Sequence, residues 1–211
     1  MAYDLEEQEQ LDVIKDWWKK NGATTLLAVA VFASVVAGMQ GWRYYQKSQQ
    51  QQAALVYEAV QSGVQGKDIK RIRYAAGQLI EKYPATPYAS RAALLVAGAN
   101  YELGDAKSAR AQLQWVIEHA KEESARDIAR LRLAGILLDE KNYAEAMKLL
   151  DAQHQKSFDG LFADLEGDVL AAQGKMADAR AAYKTALEKI DEKSTYHQVV
   201  QMKLDGLGAH G

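Results

Sequence analysis

The residues that most often carry chemistry in proteins are sparse in this sequence. It contains no cysteine, which excludes disulfides, thiol nucleophiles and cysteine-based zinc or iron–sulfur sites. No two histidines lie three or four residues apart, as two ligands on one helix face would. They stand at His119, His154, His197 and His210. We therefore predict that the protein holds no metal and no other cofactor.

Motifs of the common enzyme classes are missing from the sequence as well. It has no nucleophile elbow, no P-loop and no dinucleotide-binding fingerprint. The charged runs at 121–127 and 188–193 are typical of solvated helix ends. A net charge of −2 provides no basic field of the kind that nucleic acid requires. The sequence thus predicts a protein that is not an enzyme, does not bind nucleic acid and acts by binding other proteins.

The most conspicuous element is an uncharged apolar stretch at residues 22–41. Twenty helical residues span about 30 Å, which is the thickness of the hydrocarbon core of a bilayer. Aromatic residues flank the stretch at both ends, as they do at membrane interfaces. They are Trp17 and Trp18 before it, and Trp42, Tyr44 and Tyr45 after it. We predict a transmembrane helix at residues 22–42.

Two other interpretations of this stretch are a buried core helix and a cleaved signal peptide. A buried core helix would seldom run so long without a polar face. A cleaved signal peptide would end near Ala37, but the preceding segment is long and acidic and the apolar run exceeds the usual length. Both are disfavoured by these features.

The segment before the span, residues 1–21, holds three lysines and six acidic residues. Leu11, Ile14 and Trp18 fall on one helical face, which predicts a short amphipathic helix at the membrane surface. Asn21-Gly22 is a natural break between this helix and the span, and one continuous helix is the alternative. Three lysines before the span against Arg43 and Lys47 after it do not settle the orientation.

Small residues recur every fourth position within the span, and such rows let two helices approach closely in lipid. We predict that one row contacts another membrane helix. Its members are Ala30, Ser34 and Gly38; a second row is Ala33, Ala37 and Gly41.

Beyond the span, helix-length segments follow one another and repeat. Similar turns precede three alanines, Ala109, Ala146 and Ala179, which are 37 and 33 residues apart. These distances are close to the 34-residue tetratricopeptide period. Twelve residues before each alanine is another small residue, and four residues after it is a large one. The small ones are Ala97, Ala134 and Gly167, and the large ones are Leu113, Leu150 and Tyr183.

This spacing predicts helix pairs that pack through small residues, in an all-α protein with one transmembrane helix and a tetratricopeptide-like repeat solenoid; a generic helical bundle is the alternative. An earlier, degenerate repeat passes through Gly63 and Ala75. The predicted segments are a stalk helix at 43–62, repeats at 63–191 and a C-terminal capping helix at 192–211. Predicted helix caps are Thr86, Asp105, Ser124 and Asn142.

In tetratricopeptide stacks the first helix of each pair lines a concave groove. Repeat spacing assigns five apolar residues to that groove, which suit an apolar peptide or a partner helix. They are Leu94, Tyr101, Leu131, Leu138 and Leu161. In the alternative, the C-terminal helix fills the groove.

Several short motifs, in this order along the chain, resemble the YfgM family of ancillary SecYEG translocon subunits. They are Gly-Trp-Arg-Tyr at 41–44, Ala-Asp-Leu-x-Gly at 163–167 and Gln-Met-Lys at 201–203. The lead agrees, with its apolar-Lys-x-aromatic-aromatic pattern at 14–18. The resemblance covers residues 9–204.

The resemblance implies a Gram-negative inner-membrane protein with a cytoplasmic N-terminus and a periplasmic repeat domain. It further implies association with the SecYEG translocon, with a membrane-anchored periplasmic chaperone of the PpiD type and with client proteins emerging from export. A structural scaffold for an envelope or division complex, without a chaperone role, is the alternative function.

Overall fold

The computed structural model describes residues 2–208, with side chains described from residue 10 onward. Within residues 2–208 the regular structure is helical and contains no strand, which confirms the predicted all-α class. A short 3₁₀ turn, Lys156–Phe158, separates α6 from α7. The helices are α1 (Ala2–Gln65), α2 (Ile69–Lys82), α3 (Pro87–Glu102), α4 (Ala106–His119), α5 (Glu123–Asp139), α6 (Tyr143–Leu150), α7 (Asp159–Ala172), α8 (Met176–Lys189) and α9 (Thr195–Gly208).

The chain divides into two compact units, Met1–Gln49 and Gln50–Gly211. In the first unit, α1 runs unbroken through Asn21 and Gly22, so the predicted break there is wrong and the continuous helix is the observed alternative. Gly22 is buried beneath the Trp18 indole, because a Cβ at this position would lie 3.3 Å from the indole nitrogen.

The apolar part of α1 is long and apolar enough to cross a membrane. Its most apolar 18-residue window has a mean hydropathy of 2.0, and only 6% of that window is buried. A helix in the core of a soluble domain would bury most of this surface. The exposure therefore removes the buried-core interpretation of residues 22–41.

The second unit is a series of helix pairs. Within each pair, a turn of the same geometry joins the first helix to the second. Each turn contains a residue with a left-handed φ, namely Lys67 (53°), Gly104 (79°), Lys141 (61°) and Gly174 (78°). In each turn the amide of the next residue donates to a carbonyl five residues earlier, as from Asp105 to Asn100 at 2.8 Å. This closure satisfies carbonyls at the helix end, as in a Schellman motif. The repeated turn shows four helix pairs among the described residues, formed by the end of α1 with α2, α3 with α4, α5 with α6, and α7 with α8.

Small residues form the seams within these pairs, as the spacing predicts. Ala109, Ala146 and Ala179 have no exposed surface. Gly167 lies so close to the Tyr183 ring that a Cβ on it would be 2.5 Å from the ring carbon Cδ1. The other members of the pattern are also buried: Ala97, Ala134, Leu113, Leu150 and, in the degenerate first pair, Ala75.

The predicted helix caps are only partly correct. The Asp105 carboxylate accepts from the Ser108 amide at 3.0 Å, as a cap should. Thr86 and Asn142 occupy N-cap positions without making a side-chain cap bond, and the Thr86 hydroxyl donates instead to the Tyr83 carbonyl at 2.8 Å. Ser124 is not a cap, because α5 already begins at Glu123.

Close to the predicted cap Ser124, α5 carries a buried carboxylate. Asp127 is completely buried; it accepts from Arg130 Nη1 at 2.8 Å and from the Gln155 amide at 3.1 Å. Helix α6 has only eight residues, and an irregular segment follows it. The hydrogen bond from the Gln155 amide to Asp127 holds this segment against α5.

Candidate protein-binding cleft

The second unit contains a cleft of about 940 Å³. It lies between the C-terminal halves of α3 and α5 and the turn that joins α1 to α2. Its lining is mainly apolar and includes Val64, Ile69, Leu95 and Leu103. Leu103 is 63% exposed and Val64 is 45% exposed, so the rim presents apolar surface to solvent. Apolar surface of this kind, in a concave site, is typical of a place where another chain binds.

Two glycines create the room for this cleft. Gly98 on α3 and Gly135 on α5 both line it, and a Cβ at either position would meet no atom within 4 Å. The two positions are 37 residues apart and therefore equivalent in the repeat. A glycine at this helix position leaves backbone facing the cleft, where any larger side chain would reduce its volume.

The structure brings together three of the five predicted groove residues. Leu94, Tyr101 and Leu138 line the cleft. Leu131 is half-buried against the core, and Leu161 is also half-buried; neither lines the cleft. Leu94 itself is only 9% exposed and belongs mainly to the core.

Sequence reasoning missed three exposed apolar members of the lining, Val64, Leu95 and Leu103. Repeat spacing assigned residues by their distance from the seam alanines, which selects positions that are mostly buried. A better signal was available in the equivalent glycines, Gly98 and Gly135, because a helical glycine that packs against nothing marks an opening.

Polar contacts tie α3 to α5 around the cleft. Arg132 Nη1 on α5 donates to the Leu94 carbonyl at 3.0 Å. The Tyr101 hydroxyl donates to the Asp139 carboxylate, and this hydrogen bond, assisted by burial, raises the pKa of Tyr101. These bonds join the two walls of the cleft and oppose their separation.

The C-terminal helix α9 contributes no residue to this lining. It packs instead on the last pair, where Val200 is fully buried and Leu204 and Leu207 contact the same apolar cluster. Within the described residues, α9 therefore does not fill the cleft.

The predicted contact row of the span lies in the first unit, and all its members are exposed. Ala30, Ser34 and Gly38 are all exposed, and a Cβ on Gly38 would have no neighbour within 4 Å. The Ser34 hydroxyl donates to the Ala30 carbonyl at 2.8 Å, which satisfies it within the helix. The row is therefore a surface of small side chains with no exposed unpaired hydroxyl.

Two of the histidines are engaged in ring stacking. His119 stacks on Trp115 with ring centroids 5.0 Å apart, and His154 stacks on Phe162 at 3.8 Å. Across the described part of the chain, no group of three or more histidine, aspartate or glutamate side chains has the arrangement of a metal site.

Comparison with known proteins gives the same architecture. Residues 15–209 match the family model described as a tetratricopeptide repeat-like domain. The helix pairs and this match define a tetratricopeptide repeat-like protein with an apolar N-terminal helix.

Relatives in three bacteria are all named "Ancillary SecYEG translocon subunit". The Neisseria gonorrhoeae protein is 34% identical, over 98% of this chain and 100% of its own length. The Haemophilus influenzae protein is 30% identical over the same shares, and that of Escherichia coli is 26% identical over 95% and 96%. The chain therefore belongs to the family of ancillary SecYEG translocon subunits.

Proposed function

We propose that the protein is a membrane-anchored adaptor of the SecYEG translocon, which binds a periplasmic chaperone and assists proteins that emerge from export. The observation that carries this proposal is the full-length similarity to relatives named as subunits of that translocon. A protein-binding role agrees with it, because the cleft between α3 and α5 has a mainly apolar lining.

The span at 22–42 is proposed to be both the anchor and the contact with the translocon. Helices in lipid gain no hydrophobic driving force from meeting, so their association depends on close packing. The row Ala30, Ser34 and Gly38 permits such packing, since its side chains are small and exposed. A partner helix can approach its backbone closely there.

Replacing Gly38 with leucine tests this contact. The added side chain would hold a partner helix away, so recovery of the translocon with the tagged protein from mild detergent should fall. Val36→Leu is the matched control, because Val36 lies on the opposite face of the helix and is also exposed. Equal recovery with both variants would show that the row is not the contact.

The cleft between α3 and α5 is proposed to bind the chaperone or an apolar segment of a client. Leu103 is the most useful probe, since it lines the cleft and is 63% exposed. Leu131→Glu is unsuitable, because Leu131 packs against the core and a charge there would unfold the domain.

Leu103→Glu should therefore reduce recovery of the chaperone and of emerging chains, while the translocon is retained. The control is Met176→Glu on α8, which changes an equally apolar side chain, 49% exposed, outside the cleft. The proposal is wrong if both substitutions leave chaperone and client recovery unchanged.

The orientation is proposed to be N-terminus in the cytoplasm and repeat domain in the periplasm. Because the chain has no cysteine, single cysteines can be introduced at Ala2 and at Gly211. A reagent that does not cross the inner membrane should label only Gly211→Cys. Labelling of Ala2→Cys, or a mature chain that begins near residue 38, would contradict an uncleaved anchor of this orientation.

A scaffold for an envelope or division complex remains the second candidate function. An exposed apolar cleft on a membrane-anchored repeat domain would serve such a role equally well. The proteins that co-purify with the unmodified chain separate the two candidates.

A further inference from the structure

One side of α7 is equivalent, by repeat position, to the side of α3 and α5 that lines the cleft, but it differs from that side in chemistry. Asp168 on α7 is 33 residues after Gly135 and so stands at the repeat position that Gly98 and Gly135 occupy in the cleft. One turn earlier, Asp164 stands where α3 has the cleft residue Leu94 and α5 has Leu131. The last repeat thus carries two carboxylates on a face that is apolar in the earlier repeats.

Helix α9 covers this acidic face. Lys203 Nζ donates to Asp164 Oδ2 at 2.8 Å and to Asp168 Oδ2 at 2.7 Å. The Tyr196 hydroxyl donates to Asp164 at 2.5 Å, and the Tyr183 hydroxyl on α8 donates to Asp168 at 2.8 Å. Every acceptor in the cluster therefore has a partner while α9 is docked.

These ionic contacts are largely buried. Asp164 is only 2% exposed, and the Lys203 side chain is 30% exposed. Burial alone would lower the pKa of Lys203, but its hydrogen bonds to the two carboxylates outweigh that effect and raise it. Lysine is thus held in its charged form between the two acids.

A helix that served only to cover the last repeat would be held best by apolar contacts. Removing a lysine and two carboxylates from water costs free energy, and their mutual attraction offsets little more than this cost. When α9 leaves, the carboxylates return to water at no such cost. Val200, Leu204 and Leu207 also hold α9 through apolar contacts. The polar part of the seam nevertheless makes docking selective for a lysine at one register, and easier to reverse than a wholly apolar seam would be.

We propose that the α7–α8 face is a second binding surface, specific for an amphipathic helix with a lysine that bonds to Asp164 and Asp168, and that α9 is its displaceable intramolecular occupant. The partner is a helix of another protein with the pattern seen in α9, a tyrosine two turns before the lysine and apolar residues beside it. This surface is separate from the cleft between α3 and α5 and does not depend on translocon association.

Peptide binding to the full chain in detergent tests the proposal. The probe is a fluorescent peptide with the sequence of α9, Thr195–Gly208. In the Lys203→Met chain, undocking of α9 exposes the surface, so the peptide should bind about tenfold or more tightly than to the unmodified chain, whose surface is occupied. A peptide that carries the same Lys203→Met change should not show this gain.

A second chain variant tests the acidic partners directly. Adding Asp168→Asn to Lys203→Met should abolish most of the gain, since the lysine of the peptide then loses one carboxylate. Equal binding of the peptide to all three chains, or binding that ignores its lysine, would overturn the proposal. Far-UV circular dichroism checks that the variants remain helical.

Hydrogen exchange on the unmodified chain gives an independent test that needs no variant. The amides of α9 should exchange faster than those of α5 and α8, and excess α9 peptide should accelerate them further. Protection of α9 equal to that of α5, unchanged by the peptide, would identify α9 as a permanent cap and refute the proposal.

Discussion

Replacing Gly167 with alanine tests how the last helix pair is packed. A Cβ there would lie 2.5 Å from Tyr183 Cδ1 and Cε1, whereas ordinary contact begins at 3.4 Å. The ring must therefore move by about 1 Å or more, although Tyr183 is only 3% exposed and its hydroxyl is held by Asp168 at 2.8 Å. Such a displacement cannot be absorbed without disturbing neighbouring side chains.

These contacts determine the expected change in the free energy of unfolding. Overpacking of a dense core costs about 1–3 kcal/mol. Loss of the Tyr183–Asp168 hydrogen bond adds about 1.5 kcal/mol or more, since the acceptor is charged. Alanine returns about 1 kcal/mol through its higher helix propensity. We expect Gly167→Ala to lower the free energy of unfolding by about 2 kcal/mol.

Urea unfolding of the full chain in detergent, followed by circular dichroism, measures this change. The matched control is Gly77→Ala on α2, where the new Cβ meets nothing within 4 Å. That control should raise stability by about 0.5–1 kcal/mol. If Gly167→Ala were as stable as Gly77→Ala, the close packing of α7 against Tyr183 would be refuted.

Three further predictions concern the same unit. Lys141→Gly should raise the free energy of unfolding by up to about 1 kcal/mol, because the φ of 61° at Lys141 is unfavourable for a residue with a Cβ. A loss of stability would contradict this prediction. Ala146→Leu should lower it by about 1–3 kcal/mol, since Ala146 is fully buried in a pair seam; an unchanged urea curve would count against the seam. Burial and the bond to Asp164 raise the pKa of Tyr196 above 10.0, so its contribution is present below pH 10.0 and is lost as pH rises through its higher folded pKa. Stability of the unmodified chain should therefore fall more steeply above that pH than that of Tyr196→Phe, and parallel curves would refute it.

Much of the fold could be predicted because the repeat depends on side-chain volume at fixed spacing. Ala109, Ala146 and Ala179 must be small for two helices to touch, and this requirement is visible in the sequence. The turns were harder to recognise, since Lys67 and Lys141 occupy positions at which Gly104 and Gly174 are the expected residue type. Helix pairing holds those lysines in a conformation that their own propensity disfavours.

The candidate sites could be predicted only in part. The spacing that identifies seams selects buried positions, so it found Leu94 but missed the exposed lining residues Leu95 and Leu103. The acidic face of α7 was missed for a different reason. Asp164 and Lys203 stand in two motifs that carry the family resemblance, but nothing in the sequence indicates that these motifs meet. The docking of α9 brings Lys203 to Asp164 and Asp168 from 35 or more residues away.

This protein is proposed to be a membrane-anchored subunit of the SecYEG translocon. The most direct measurement is quantitative mass spectrometry of the proteins that co-purify with the unmodified chain, tagged and expressed at its natural level, from mild detergent. We predict strong enrichment of the translocon subunits, together with a periplasmic chaperone, over an untagged control. Enrichment of envelope or division proteins, with the translocon at the level of the untagged control, would contradict the proposed role in the translocon.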